Sequence, residues 1–154
     1  MEVVTAGLDA EPVLASRGLK IIPDTSLDQA LDQRFDMIVL PGGLPGADHL
    51  NNDPRIHSLL QRLADAGGYT AAICAAPKVL ASAGLLDGRE ATGYPGTLEA
   101  LGLTQVRLSG EAVVTDGRVI TSRGPGTAID FTLVLIERLV GKETRDKVEA
   151  GLVR

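Results

Sequence analysis

A short apolar run ending at the chain's only cysteine sets the strongest constraint on how this sequence folds. The run is Tyr69-Thr70-Ala71-Ala72-Ile73-Cys74, and Ala75-Ala76-Pro77-Lys78-Val79-Leu80 follows at once. Pro77 suits the first turn of a helix, where its missing N–H would have had no partner anyway. Gly84 suits the left-handed position just past the helix end. The spacing predicts a buried strand turning sharply into a helix over 77–83, with Cys74 at the turn. There the sulfur faces unpaired helix N–H groups and the positive end of the helix dipole, which favours thiolate over thiol. This is the logic of a nucleophile elbow, with Ile73 and Ala75 in place of the glycines that flank the serine version. A second reading stands beside it, because a lone cysteine also serves as a small buried hydrophobe.

Two more strand ends carry glycine-rich loops. Asp36-Met37-Ile38-Val39-Leu40 is a continuous apolar run of the type buried on both faces of a parallel sheet, and it ends at Pro41-Gly42-Gly43. Residues 112–114 and 118–122 enclose Asp116-Gly117, a pair that tolerates the positive φ angles of a type I′ hairpin turn. The second of these strands runs into Arg123-Gly124-Pro125-Gly126. Further strands are predicted at 3–6 and 89–92, and an antiparallel excursion at 13–15 and 19–22 around Ser16-Arg17-Gly18. Helices come between them. Ser26 with Gln29 forms a capping box ahead of Leu27, Ala30 and Leu31. Asp53 caps a helix with Pro54 at its first position and Ile56, Leu59, Leu60 and Leu63 on one face, ending at Gly67-Gly68. One or two helical turns are expected at 97–101. Thr127 caps a long helix to Val140 whose apolar residues nearly circle it, and a more polar terminal helix follows from Lys142.

Alternation of apolar strands with helices specifies a layered α/β fold. In such sheets the ligand site lies beyond the carboxyl ends of the strands. If the strands are parallel, the loops at 41–43, 74–76 and 123–126 share one rim. With no repeat, linker or low-complexity tract, residues 1–154 read as one domain.

Composition narrows the function classes. The net charge is −5 and no basic run occurs, which argues against nucleic acid as a partner. Aromatic residues make up 3%, too few for base-stacking surfaces. One cysteine allows no internal disulfide and fits a reducing compartment. The sequence offers neither a membrane-spanning apolar run nor a signal peptide at its start, so the expectation is a cytoplasmic protein without a membrane partner.

Leu40-Pro41-Gly42-Gly43, Ala71-Ala72-Ile73-Cys74-Ala75-Ala76-Pro77 and Thr121-Ser122-Arg123-Gly124-Pro125-Gly126-Thr127 resemble the hallmark segments of the ThiJ/PfpI superfamily, in order and spacing. That superfamily includes the Parkinson-disease-associated deglycase and its bacterial relatives. Ser16-Arg17 and Pro23-Asp24 also match. The resemblance implies a flavodoxin-like sandwich with a mostly parallel sheet and Cys74 as the reactive cysteine. It implies an oxyanion pocket made by the backbone amides of Gly43 and Ala75, with Gly42 beside it. It further implies a homodimer with Arg17 and Pro125 at the interface and Tyr94 and Arg123 near the pocket. An ion pair is the alternative for Arg123, and turn geometry alone for Gly124 and Gly126.

Two departures from the family pattern stand out. Some members carry a histidine near the cysteine in a Thr-His-Pro segment, where this chain has Gly93-Tyr94-Pro95. Neither His49 nor His57 matches it: His57 reads as exposed on the helix after Asp53, and His49 in the glycine-rich loop as solvated surface, with reach to the pocket rim as the alternative. The family's first strand and helix, with a glutamate that bonds the cysteine, have no counterpart, so the chain reads as N-terminally truncated. The implied activity is that of a glyoxalase or deglycase, working without metal or organic cofactor on a small reactive aldehyde or a glycated adduct. A non-enzymatic oxidative-stress sensor or chaperone using the same cysteine is the alternative. A peptidase ranks last, since no histidine is placed beside Cys74.

Overall fold

The computed structural model describes residues 1–15 and 18–154. Arg17 and Ser16, expected at an interface and a turn, lie outside the described residues. Two compact units are present, Met1–Phe35 and Asp36–Arg154.

In the first unit, β1 (Ala6–Gly7) pairs in parallel with β4 (Thr25–Ser26), and β2 (Val13–Leu14) pairs antiparallel with β3 (Lys20–Ile21). The antiparallel excursion is thus as expected. The first strand is not: it begins at Ala6 rather than at residue 3. Thr5 is held instead by Asp24, whose carboxylate accepts the Thr5 N–H at 2.8 Å and its hydroxyl at 2.7 Å. The same hydroxyl accepts the Asp24 N–H at 3.0 Å. These bonds hold the Asp24 carboxyl below its usual range, the Thr5 amide being the largest cause. The short helix α1 (Leu27–Ala30) is capped by Ser26, which accepts the Gln29 N–H. Only half of the capping box forms, because the Gln29 side chain accepts from the Thr25 hydroxyl instead.

The second unit is built on a four-stranded sheet in the order β5 (Met37–Leu40), β6 (Tyr69–Ile73), β10 (Val119–Ser122), β9 (Val113–Asp116). β5, β6 and β10 are parallel, and β9 runs antiparallel to β10. β7 (Glu90–Ala91) and β8 (Arg107–Leu108) form a separate parallel pair. Helices α2 (Gly46–Asn52), α3 (Pro54–Asp65) and α4 (Pro77–Ser82) occur between strands, and α5 (Ala128–Val140) and α6 (Lys142–Gly151) close the chain. Ala71 of β6 and Ile120 of β10 pack with Phe131 and Leu135 of α5, and Met37, Tyr69, Ile73 and Val113 border this core. Alternation sends Thr70 and Ala72 of β6 to the opposite face, and α3 and α4 also pack against that strand. Burying Phe131 and Leu135 ties α5 to the sheet, each side chain contributing about 1.5–3 kcal/mol.

The α3 start follows expectation: Pro54 is its first residue and the Asp53 carboxylate accepts the Arg55 N–H at 2.9 Å. Three expectations are corrected. β5 is an edge strand of its sheet, so Met37 and Ile38 are only half-buried and Val39 is 44% exposed, not buried on both faces. α5 is buried on opposite sides, by Phe131 and Leu135 and by Leu133 and Ile136, but not throughout, since Ile129 and Val140 are exposed. The β9–β10 turn consists of Gly117 and Arg118, one residue later than expected, and of these only Gly117 has a positive φ, at +62°. A type I′ turn needs two such residues, so that turn type is excluded.

Candidate functional site

The three parallel strands end on one rim. Leu40 pairs with Ala72, and Ser122 with Ile73, so the loops that follow β5, β6 and β10 leave the sheet side by side. Cys74 stands at their centre. Its φ is +64°, one of two positive values at non-glycine residues among the described residues. A side chain strongly disfavours this left-handed region, so the surroundings must impose it. They do so from both ends of the peptide. The Cys74 N–H donates to the Ser122 carbonyl at 2.9 Å, and its carbonyl accepts the Tyr94 N–H at 2.8 Å. Helix α4 then starts at Pro77, as its proline predicts, and Gly84 follows its end at φ +73°. Cys74 is half-buried and forms no disulfide.

Gly42 explains how the first loop approaches. A Cβ added there would lie 2.6 Å from Cys74 Cβ and 2.8 Å from the Ile73 carbonyl oxygen, which only glycine avoids. Gly43 follows with φ +88°, and its carbonyl accepts the Ala47 N–H at 2.8 Å in the first turn of α2. Among the described residues, neither the Gly43 N–H nor the Ala75 N–H is taken up by a backbone carbonyl. Both therefore remain available as donors, one in the cysteine turn and one in the loop packed against it.

The third loop is organised by hydroxyls. Ser122 Oγ donates to the Ala112 carbonyl at 3.0 Å and shares a 2.7 Å bond with Thr127 Oγ1. Thr127 Oγ1 also accepts the Gly124 N–H at 3.1 Å. Its side chain is therefore turned back into the loop and does not cap α5, and a single 3-10 turn, Pro125–Thr127, leads into that helix. Gly124 is extended at φ 173° and Gly126 has no positive φ, so turn geometry does not require glycine at either position. A Cβ on Gly124 would rest 3.5 Å from the Tyr94 ring, which places that half-exposed ring over the third loop. The Arg123 guanidinium donates to the Gly110 carbonyl at 3.0 Å and makes no ion pair among the described residues. Pro125 is exposed.

Neither histidine is hydrogen-bonded to Cys74. His49, expected in a loop, is exposed on α2, whereas His57 is half-buried on α3 with Nε2 2.7 Å from the Asn51 carbonyl oxygen, a correction to its expected exposure. Surface hollows beside α3, lined by His57, Gln61 and Arg62 or by His49 and Arg55, do not include Cys74. Sequence reading missed three contributors to the rim. Thr121 Oγ1 accepts the Thr92 N–H at 2.9 Å and so anchors the segment leading to Tyr94. Ser122 organises the third loop, as above. Lys78 on α4, its side chain only 15% exposed, forms an ion pair with Asp48 on α2. The available signals were two hydroxyl residues at the end of a buried strand and a lysine within an otherwise apolar helix.

Among the described residues, no group of three or more histidine, cysteine, aspartate or glutamate side chains is placed to hold a metal ion, and no helix is long and apolar enough to cross a membrane.

Comparison with known proteins places this geometry. The DJ-1/PfpI family profile matches residues 1–138. Protein dj-1beta of Drosophila melanogaster is 44% identical over 154 residues, covering 99% of this chain and 82% of that protein. Its crystal structure superposes with a TM-score of 0.89 at 43% identity, covering 94% of this chain and 77% of the other. The glutathione-independent glyoxalase DJR-1.2 of Caenorhabditis elegans is 38% identical over 143 residues, covering 93% of this chain and 76% of that protein. An oxidized DJ-1 of Toxoplasma gondii matches with a TM-score of 0.92 at 36% identity, covering 99% of this chain and 83% of the other. Likeness in sequence and backbone over nearly the whole length leads to one assignment: the chain belongs to the DJ-1/PfpI family.

Proposed function

We propose that this protein is a cysteine-dependent glyoxalase or deglycase acting on methylglyoxal or its adducts. The observation that carries the reading is the left-handed Cys74 held between Gly42, Ser122 and Tyr94, with the Gly43 and Ala75 amides free on the same rim. A relative named as a glutathione-independent glyoxalase adds support. In this reading the Cys74 thiolate attacks the aldehyde carbon of methylglyoxal, forming a C–S bond while the carbonyl electron pair moves onto oxygen. The Gly43 and Ala75 N–H groups stabilise that oxyanion. The aldehyde-carbon proton then transfers to the neighbouring ketone carbon, the hemithioacetal becoming a lactoyl thioester. Water cleaves the thioester, releasing lactate and restoring the thiol. The sequence is redox-neutral, with one water consumed per lactate. Cysteine suits the first step because it is intrinsically very nucleophilic near neutral pH. The test is lactate formation from methylglyoxal by the wild type and by Cys74→Ala. Complete loss in the variant is the expected result, and retained turnover would remove the covalent route.

A second reading is favoured by the oxidized state named for the Toxoplasma gondii relative. Here peroxide oxidises the Cys74 thiolate to a sulfenate, with water as the other product, and further peroxide gives a sulfinate. Loss of lactate formation in step with sulfinate content would join the two readings as activity and its shut-off.

A further inference from the structure

We propose that the Lys78–Asp48 ion pair is a positioning device that sets the gap between the two oxyanion donors. The proposal deepens the glyoxalase reading and rests on it for its kinetic test. Lys78 is the second residue of α4, which begins just after the Cys74-Ala75-Ala76 turn. Its side chain is 15% exposed, so most of it lies away from water. An ammonium held there needs a charged or hydrogen-bonding partner. Asp48 supplies that partner from the first turn of α2, where the helix dipole also favours a carboxylate.

What the pair joins matters more than the pair itself. α2 is continuous with the first loop, since the Ala47 N–H bonds the Gly43 carbonyl and the Asp48 N–H bonds the Pro45 carbonyl at 2.9 Å. α4 is continuous with Ala75. One donor therefore sits at the root of α2 and the other at the root of α4. On the inner side the separation is fixed by the β5–β6 pairing and by Gly42 against Cys74. Lys78–Asp48 bridges the two helices themselves, and Ala47, fully buried beside Asp48, shows that α2 is packed down. Cutting the bridge leaves the inner constraints in place while letting α2 shift against α4. Catalysis by paired donors is sensitive to displacement on the ångström scale.

The test compares Lys78→Met, Asp48→Asn, the double variant and the conservative Lys78→Arg. Each single loss is expected to lower kcat for methylglyoxal about tenfold to 100-fold with KM changed less than about threefold. The double variant should cost no more than either single one, and Lys78→Arg should keep kcat within about threefold of wild type. Hydrogen exchange should quicken at residues 42–48 and 74–78 in both single variants and stay unchanged in β10. Opposite effects of Lys78→Met and Asp48→Asn on kcat would overturn the proposal, since Lys78 would then act through its own charge and not through Asp48. Unchanged exchange in both segments would also overturn it. Exchange does not depend on any turnover, so an inactive wild type would sink the glyoxalase reading while leaving the pairing to stand or fall on that measurement. Lys78→Arg guards against misfolding, because it retains charge and bulk.

Discussion

Cys74 combines a reactive group with a backbone conformation that its side chain disfavours. The left-handed region costs a non-glycine residue about 1–2 kcal/mol. Cys74→Gly is therefore expected to melt higher than Cys74→Ala by an amount worth about 1 kcal/mol, with both variants inactive. Thermal unfolding of the two proteins side by side measures this, and equal midpoints would show that the turn is unstrained. Gly42→Ala should act in the opposite direction. The added Cβ would lie 2.6 Å from Cys74 Cβ, so one of the two loops must move. A destabilisation of about 1–3 kcal/mol is expected, together with loss of lactate formation. Mild peroxide followed by intact mass and peptide mapping should place oxygen on Cys74 before Met37. Both residues are half-buried, so preference for the thiol would report chemistry and not access.

At the scale of elements, Asp116 binds β7, β8 and the β9–β10 hairpin together. Its carboxylate accepts the Glu90 N–H at 2.9 Å and pairs with Arg89 and Arg107. The Glu90 amide, followed by the two guanidinium groups, holds the Asp116 carboxyl below its usual range. A folded value below the unfolded value of about 3.9 means that its stabilisation is fully present above that pH and is lost as pH falls through the folded value. Asp116→Asn should thus lower Tm at pH 7, and the gap to wild type should close as pH drops below about 4. Thr92→Val tests the neighbouring strand end, where the Thr92 hydroxyl is buried without a hydrogen-bond partner among the described residues. Stability should rise or stay level, within about 1 kcal/mol, because no intramolecular hydrogen bond is removed. These elements also show what sequence reading reaches. Pro54, Pro77 and Gly84 act within one turn of their own backbone, so α3, α4 and the cysteine turn were legible. The hairpin turn slipped by one residue because Asp116-Gly117 and Gly117-Arg118 each place a glycine at a positive-φ position. The exposure of Val39 was hidden, since an apolar run reads alike in the middle of a sheet and at its edge. Pairs such as Lys78–Asp48 and Thr121–Thr92 join residues some thirty positions apart and leave no local mark.

Across the whole molecule, hydrogen-bonded order is unevenly distributed. The first unit holds its strands in two-residue pairs, whereas β6 is paired along both edges in the second. Amide exchange should therefore be slowest in β6 and β10 and markedly faster in β1 to β4. Comparable protection in the two sets would show that they open as one cooperative block. The same connectivity has a consequence for the order of synthesis. Cys74 takes its backbone conformation from the Ser122 carbonyl and the Tyr94 amide, both of which lie later in the chain. A nascent chain that has just exposed the cysteine thus carries an ordinary peptide thiol, and its special environment is assembled only when β10 docks. Pulse alkylation during refolding should accordingly show the thiol acquiring native reactivity in the same kinetic phase as β10 amide protection.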